Sequence, residues 1–233
     1  MTETRRQRLW LLGASAVVVA AIVVIVIAIG RAGGGTAGTT TGTPQGIGAT
    51  RALFAGIPQR GAELGVPRAP VTVTEYADLQ CPFCGKSARD RWPEIVRRFV
   101  RPGRAKLVFR NLAFLGADSL DGARMAAAAA LQKRMWQFVD LAYRNQGEEG
   151  TGWITDAYLR RIAVGAGLDV RRAFAQRHSA RVLTLLSEAK AMADAAGVRA
   201  TPAFLITRAG RAPVALTGDA DVAGAIQDAL RAP

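Results

Sequence analysis

Sulfur and imidazole are scarce in this chain: 233 residues hold two cysteines and one histidine, His178. A structural zinc site needs about four ligands. With His178 the only imidazole, the sequence argues against such a site, and no metal ligands are assigned. Lysine is scarce as well, at four positions (Lys86, Lys106, Lys133, Lys190), although Lys and Arg together number 31 and the net charge is +13. The charge favours anionic surfaces. The basic residues are interspersed with acidic ones, however, and no basic stripe carries interleaved aromatics. Specific nucleic-acid binding is therefore not expected. The glycine triplet at Gly33–Gly35 lacks both a preceding strand and a following Gly-Lys-Ser/Thr, which excludes a phosphate loop. A third thiol, which a reactive dithiol could capture wrongly, is absent. So is any obvious N-terminal dimerisation domain, which makes a dimeric isomerase a poorer reading.

The two cysteines that are present stand together, as Cys81-Pro82-Phe83-Cys84. Two thiols separated by two residues can close and reopen a small disulfide ring by exchange. A purely structural bridge over so short a loop would constrain little of the unfolded chain. The preceding Val71–Tyr76 is β-branched and alternating, as in a strand. The following Ala88, Trp92, Ile95, Val96 and Phe99 share one helical face. The motif thus lies at a strand-to-helix junction, with Cys81 at a helix N-terminus and Pro82 in the first helical position. Unpaired N–H groups and the macrodipole favour a thiolate there. Lys86 and Arg89 follow within two turns and are candidates to stabilise it.

At the N-terminus, Leu9 to Ile29 is an uncharged apolar run of 21 residues. As a helix it would span about 31 Å, the thickness of a bilayer core. The reading is one uncleaved transmembrane helix over 9–29, with a cytoplasmic N-terminus over 1–8, because Arg5, Arg6 and Arg8 precede the span. The competing reading is a cleaved signal peptide, whose apolar region is normally about 7–15 residues long. Residues 30–50 are Gly-, Thr- and Ala-rich and read as a tether with a root-mean-square span of roughly 25 Å. Residues 51–233 then form the exported domain.

Within that domain a short leading strand is expected near Phe54–Ile57. Pro93 should kink or split the helix after the dithiol, and Arg101-Pro102-Gly103 should stop it. Lys106–Phe114 reads as a second strand. A helical block covers about 119–196, with Ser119 as an N-cap and Asp169 as a later one. Its core stripe runs through Leu131, Met135, Phe138, Val139 and Ala142. Ala203–Thr207 and Val214–Thr217 flank a polar turn, as in an antiparallel hairpin. A final helix carries Val222, Ala223, Ile226 and Leu230 on one face. The fold class is α/β, with an all-helical insertion. Glu75 is in phase with Val71 and Val73, so it points to their face. A partly buried carboxyl there could exchange a proton with Cys84.

The Cys81–Cys84 motif after Thr74-Glu75-Tyr76-Ala77-Asp78-Leu79-Gln80, with Thr201-Pro202 late in the chain and helices between, resembles the thioredoxin superfamily. The interposed helices resemble its DsbA-like branch, in particular the membrane-anchored bacterial members. The resemblance implies a thioredoxin-like fold, with Cys81 as nucleophile and Cys84 as resolving thiol. It also implies a buried acid at Glu75 and a cis-proline loop at Thr201-Pro202 that pairs with substrate backbone. The best-known oxidant of the family has histidine where Phe83 stands, which implies a weaker oxidant here. The implied activity is disulfide transfer, without a cofactor, to exported proteins with free thiols. A quinone-linked membrane partner would reoxidise the dithiol. Two alternatives stay open: a membrane-tethered reductase or isomerase, and a non-catalytic thiol metal carrier or chaperone-like module.

Overall fold

The computed structural model describes residues 42–231. The span expected over 9–29 and most of the tether lie outside the described residues. Among those described, no helix is long and apolar enough to cross a membrane.

A six-stranded sheet forms the frame. It comprises β1 (Gln59–Arg60), β2 (Glu63–Leu64), β3 (Val71–Ala77), β4 (Ala105–Asn111), β5 (Ala203–Arg208) and β6 (Val214–Thr217). The spatial order is β1-β2-β4-β3-β5-β6. Only β3 and β4 are parallel, and the other neighbouring pairs are antiparallel. The β3–β4 crossover is α2 (Pro82–Ile95) with a π-helical turn, Val96–Val100. Strand β3 is central, so the dithiol that follows it sits at the middle of the sheet's carboxyl end. The hairpin of β5 and β6 lies where the alternating pattern places it.

The insertion between β4 and β5 holds α3 (Ala117–Leu131), α4 (Met135–Arg144), α5 (Asp156–Gly165), α6 (Val170–Gln176) and α7 (Ala180–Ala195). Helix α3 buries Ala123 and Ala126–Ala130. Small side chains let neighbouring helices approach its backbone closely. The C-terminal α8 (Val222–Arg231) buries Val222 and Ile226. Asp169 caps α6 by accepting from the Arg172 N–H at 2.9 Å, as expected.

Three local expectations are corrected. The strand expected near Phe54–Ile57 is instead the end of a helix, α1 (Ile47–Phe54). It also claims the last residues of the 30–50 tether. Local composition gives α1 little support; it is held by tertiary contacts. Phe54 packs 6.1 Å from the Trp136 ring and 6.4 Å from Trp92, and Thr50 donates to the buried Asp140 carboxylate. Ser119 is not an N-cap. It lies inside α3, and its hydroxyl donates 2.7 Å to Asp78. Pro93 does not split its helix. The ladder continues to Ile95 and then widens, with Arg101 N–H bonded to Val96 O at 2.8 Å.

Candidate active site

Cys81 is the N-cap of α2, and Pro82 occupies its first turn, as the spacing predicts. The Cys81 sulfur accepts from the Cys84 N–H at 3.3 Å. It also lies 3.5 Å from the Thr201 carbonyl oxygen. The Thr201–Pro202 bond is cis. The structure therefore brings together all four residues that the sequence singles out for the dithiol and its proline loop. Phe83 stands outside this pocket, 69% exposed between the two cysteines. Among the described residues, no group of three or more His, Cys, Asp or Glu side chains is placed to hold a metal.

The two thiols differ in charge preference. The hydrogen bond from Cys84 is the largest effect on Cys81, and with a bond at Thr201 and the N–H groups of Cys84 and Phe83 it outweighs burial. The Cys81 thiol is pulled down to about 6. Cys84 moves far in the other direction, because burial and the neighbouring Cys81 sulfur both disfavour its charge. One correction concerns exposure. A cysteine at a helix end is expected to be exposed and reactive and one a turn further in to be shielded, yet both are sunk, at 4% and 0% exposed. The asymmetry is electrostatic, with little contribution from access.

Glu75 lies on the inner face of β3, 3% exposed. Its Oε2 accepts from the Trp92 indole N–H at 2.7 Å, while its Oε1 has no partner. Burial pushes the Glu75 carboxyl up to about 7, against smaller opposing effects of the Trp92 bond and the Arg91 charge. A carboxyl poised there can take or give a proton near neutrality. Burial pushes the Tyr143 hydroxyl well above its usual range, and Cys84, Glu75, Asp78 and Cys81 add to the push. The charged candidates after the dithiol are corrected. Lys86 pairs with Asp90 at 2.8 Å on the surface, and Arg89 donates 2.8 Å to the Tyr143 carbonyl on α4. Neither is spent on the Cys81 sulfur. His178 is exposed in the helical block.

Three residues that sequence reasoning passed over hold the dithiol turn. Asp78, fully buried, accepts from the N–H groups of Gln80, Phe114 and Leu115 at 2.9, 3.1 and 3.1 Å, besides the Ser119 hydroxyl. Gln80 donates to Leu115 O at 2.7 Å and to Asp118 at 2.6 Å, and accepts from Gly150 N–H at 3.0 Å. Gln146 donates 2.9 Å to each of the Leu79 and Cys81 carbonyls. The approach to the helix N-terminus is thus clamped by both the β4–α3 loop and the helical insertion. A polar run immediately before a C-x-x-C motif was the available signal for Asp78 and Gln80. Nothing local marks Gln146.

Comparison with known proteins follows the same lines. Residues 59–214 match the family model described as thioredoxin. A 103-residue stretch is 36% identical to the "Probable disulfide bond formation protein D" of Bacillus cereus, covering 42% of this chain and 47% of that protein. Over 154 residues it is 35% identical to "Na(+)/H(+) antiporter NhaA 1" of Mycolicibacterium gilvum, covering 64% of this chain and 24% of that protein. The chain thus spans about half of the first relative and a quarter of the second. Among solved structures, oxidised BdbD from Bacillus subtilis superposes with a TM-score of 0.66 at 21% identity, covering 74% of this chain and 94% of that one. With this match across two thirds of its length, the chain belongs to the thioredoxin superfamily, and it shares its fold with BdbD.

Proposed function

We propose that the protein is an extracytoplasmic thiol–disulfide oxidoreductase that introduces disulfides into exported proteins through Cys81 and Cys84. The observation that carries this reading is the opposite drive on the two sulfurs, Cys81 toward the thiolate at about 6 and Cys84 toward the thiol. In the oxidising direction a substrate thiolate attacks the Cys81 sulfur of the Cys81–Cys84 disulfide, and the S–S electron pair leaves on Cys84, which takes up a proton. A second substrate thiolate then attacks the substrate sulfur of the mixed disulfide and expels Cys81 as a thiolate. The substrate leaves oxidised by two electrons, and the dithiol is reduced by two.

Each step draws on a residue described above. Thiolate stabilisation at Cys81 makes it the better leaving group and favours the reduced form. Against a free thiol near 8.5, a value of about 6 corresponds to roughly 3 kcal/mol and on the order of 75 mV toward the oxidant side. Glu75 supplies and accepts the Cys84 proton, with its unpartnered Oε1 as the free acceptor. The Thr201-Pro202 loop lies against the reacting sulfur and receives the substrate backbone. Substrates are exported proteins with free thiols. A span over 9–29 holds the domain at the cell membrane, with the N-terminus cytoplasmic, beside a quinone-linked membrane protein that reoxidises the dithiol. The disulfide-formation name of the Bacillus relative supports this reading.

The test uses the oxidised full-length chain and a reduced, unfolded protein with two cysteines. Disulfide transfer is expected in the wild type and none in Cys81→Ser. Given a substrate that carries a disulfide, reduced Cys84→Ser should attack it through Cys81, releasing one substrate thiol, and accumulate a mixed disulfide that Cys81→Ser does not. Equal trapping by the two variants refutes the assignment of roles. A potential near the ~−270 mV of thioredoxin assigns the dithiol to reduction instead.

A further inference from the structure

A cavity of about 430 Å³ lies between α1, the turn that joins α3 to α4, and the C-terminal end of α5. It shares no lining residue with the dithiol or the proline loop. Its volume falls in the ~300–1,000 Å³ range of small-molecule sites. The charged part of the lining is cationic. Arg51, Lys133 and Arg134 border the cavity, all three are exposed, and none has a side-chain hydrogen bond or ion pair among the described residues. No Asp or Glu of the described residues lines it. Asp140, which accepts from Thr50 in the cavity wall, is already paired with Arg144 at 2.8 Å. Gln137 enters from the first turn of α4 and is only 9% exposed. Its Oε1 accepts from Gln59 Nε2 at 3.0 Å, and its Nε2 has no partner among the described residues.

We propose that this cavity is an anion site for a phosphate group, with Arg51, Lys133 and Arg134 balancing its charge and the Gln137 amide donating to one of its oxygens. The site lies outside the exchange machinery and does not rest on it. The unpaired amide is the first support, because buried donors without a partner are uncommon. The second is the electrostatics of α4. Arg134 is its N-cap, and no side chain caps the helix. Cations at an uncapped helix N-terminus are the reverse of what the macrodipole favours, so positive potential accumulates at one spot that an anion would offset. The carbonyl ends of the neighbouring helices do not cancel it. Arg101 donates to the Leu53 and Ala55 carbonyls at the end of α1, at 2.9 and 3.0 Å. The Gly167 and Leu168 N–H groups take the Val164 and Ala163 carbonyls at the end of α5, each at 3.0 Å. The backbone brings two of the cations together. Lys133 has φ 57, alone among the described non-glycine residues in the left-handed region. Its N–H and that of Arg134 bond back to Ala130 and Ala129 at 3.1 and 3.0 Å, a helix ending at which glycine is usual. Donors converge here from α1, the α3–α4 turn and α4. A tetrahedral phosphate offers oxygens in all those directions, whereas a carboxylate offers two in one plane.

The experiment titrates inorganic phosphate into the full-length chain in non-ionic detergent by calorimetry, and follows urea unfolding of the same protein in phosphate or in chloride of equal ionic strength. One phosphate per chain is expected, with an unfolding midpoint higher in phosphate than in chloride. Arg51→Gln, Arg134→Gln and Lys133→Gly should each weaken phosphate binding about threefold to tenfold. Two variants separate the site from a merely structural role. Lys133→Gly suits the left-handed backbone, so it should unfold at higher urea than wild type in chloride and gain less from phosphate. Gln137→Glu sets a carboxylate at the third position of α4, where the helix end and the cations favour it. It should raise the midpoint in chloride and abolish the response to phosphate. Phosphatidylglycerol added to the micelles identifies the source of the group. Displacement of inorganic phosphate assigns a lipid headgroup, and phosphate left bound assigns a soluble phosphate ester; either result keeps the site. A wild type that gains no more from phosphate than from chloride would overturn the inference. So would a Gln137→Glu chain that still binds phosphate, or one that unfolds at lower urea than wild type in chloride. Disulfide exchange would stand in each of those cases, because none of these residues belongs to the dithiol or its proline loop.

Discussion

Replacing Glu75 with glutamine should stabilise the protein at neutral and alkaline pH and leave its stability unchanged in acid. The carboxyl is 3% exposed and its folded-state value is pushed up to about 7, whereas an unfolded-chain glutamate titrates near ~4.3. Below ~4.3 the group is protonated in both states and contributes no pH dependence. Between ~4.3 and about 7 the unfolded chain releases its proton while the folded protein keeps it, so wild-type stability falls as pH rises. Above about 7 the full cost is reached, roughly 4 kcal/mol at ~1.4 kcal/mol per unit. Glutamine keeps an oxygen for the Trp92 indole N–H and carries no charge. The assay is urea unfolding of reduced wild type and Glu75→Gln at about pH 4.5, 6 and 8. The variant's advantage should grow from under about 1 kcal/mol to roughly 4 kcal/mol over that series. A difference that is flat with pH would refute the buried-carboxyl reading, and a variant less stable at pH 8 would reverse it. On the proposed role of Glu75 as proton acceptor for Cys84, the same substitution should slow reoxidation of the dithiol while Cys81 still reacts.

Asp78→Ala should cost at least about 3 kcal/mol in chemical denaturation, because it strips a buried acceptor from three backbone N–H groups and the Ser119 hydroxyl. A loss under about 1 kcal/mol would show that the clamp adds little. Phe83→His should lower the Cys81 value by on the order of one unit and make the disulfide easier to reduce, since an imidazolium there adds a nearby positive charge. Phe83→Ala, which removes an exposed ring, should leave the Cys81 titration where it is. Thiolate absorbance of the reduced protein against pH reads both.

How much was legible in the sequence depends on how local the cause is. The dithiol junction rests on a β-branched strand, a capping cysteine and a proline suited to the first turn, all within fifteen residues, and it is found where the pattern places it. The direction of Glu75 needs only the two-residue period of β3. The hairpin and final helix follow from alternation and from the Val222–Ile226 stripe. Helix α1 was missed because Ile47–Phe54 has little periodicity of its own, and its order comes from Phe54 against two tryptophans and Thr50 on Asp140. Ser119 has the side chain of a cap, yet Asp78, 41 residues away, claims its hydroxyl. Gln146 joins the site only because α4 packs on α2, a contact no spacing reveals. The depth of Cys81 was misjudged for a similar reason, since its cover comes from the proline loop 120 residues downstream.

Alkylation of the reduced protein by iodoacetamide as a function of pH, with each cysteine read by mass spectrometry, measures the charge asymmetry on which the exchange chemistry depends. Cys81 is expected to react with a midpoint near 6 and Cys84 to stay unmodified through pH 8 in the folded protein. Equal labelling of both cysteines, or a Cys81 midpoint near the ~8.5 of a free thiol, would contradict it.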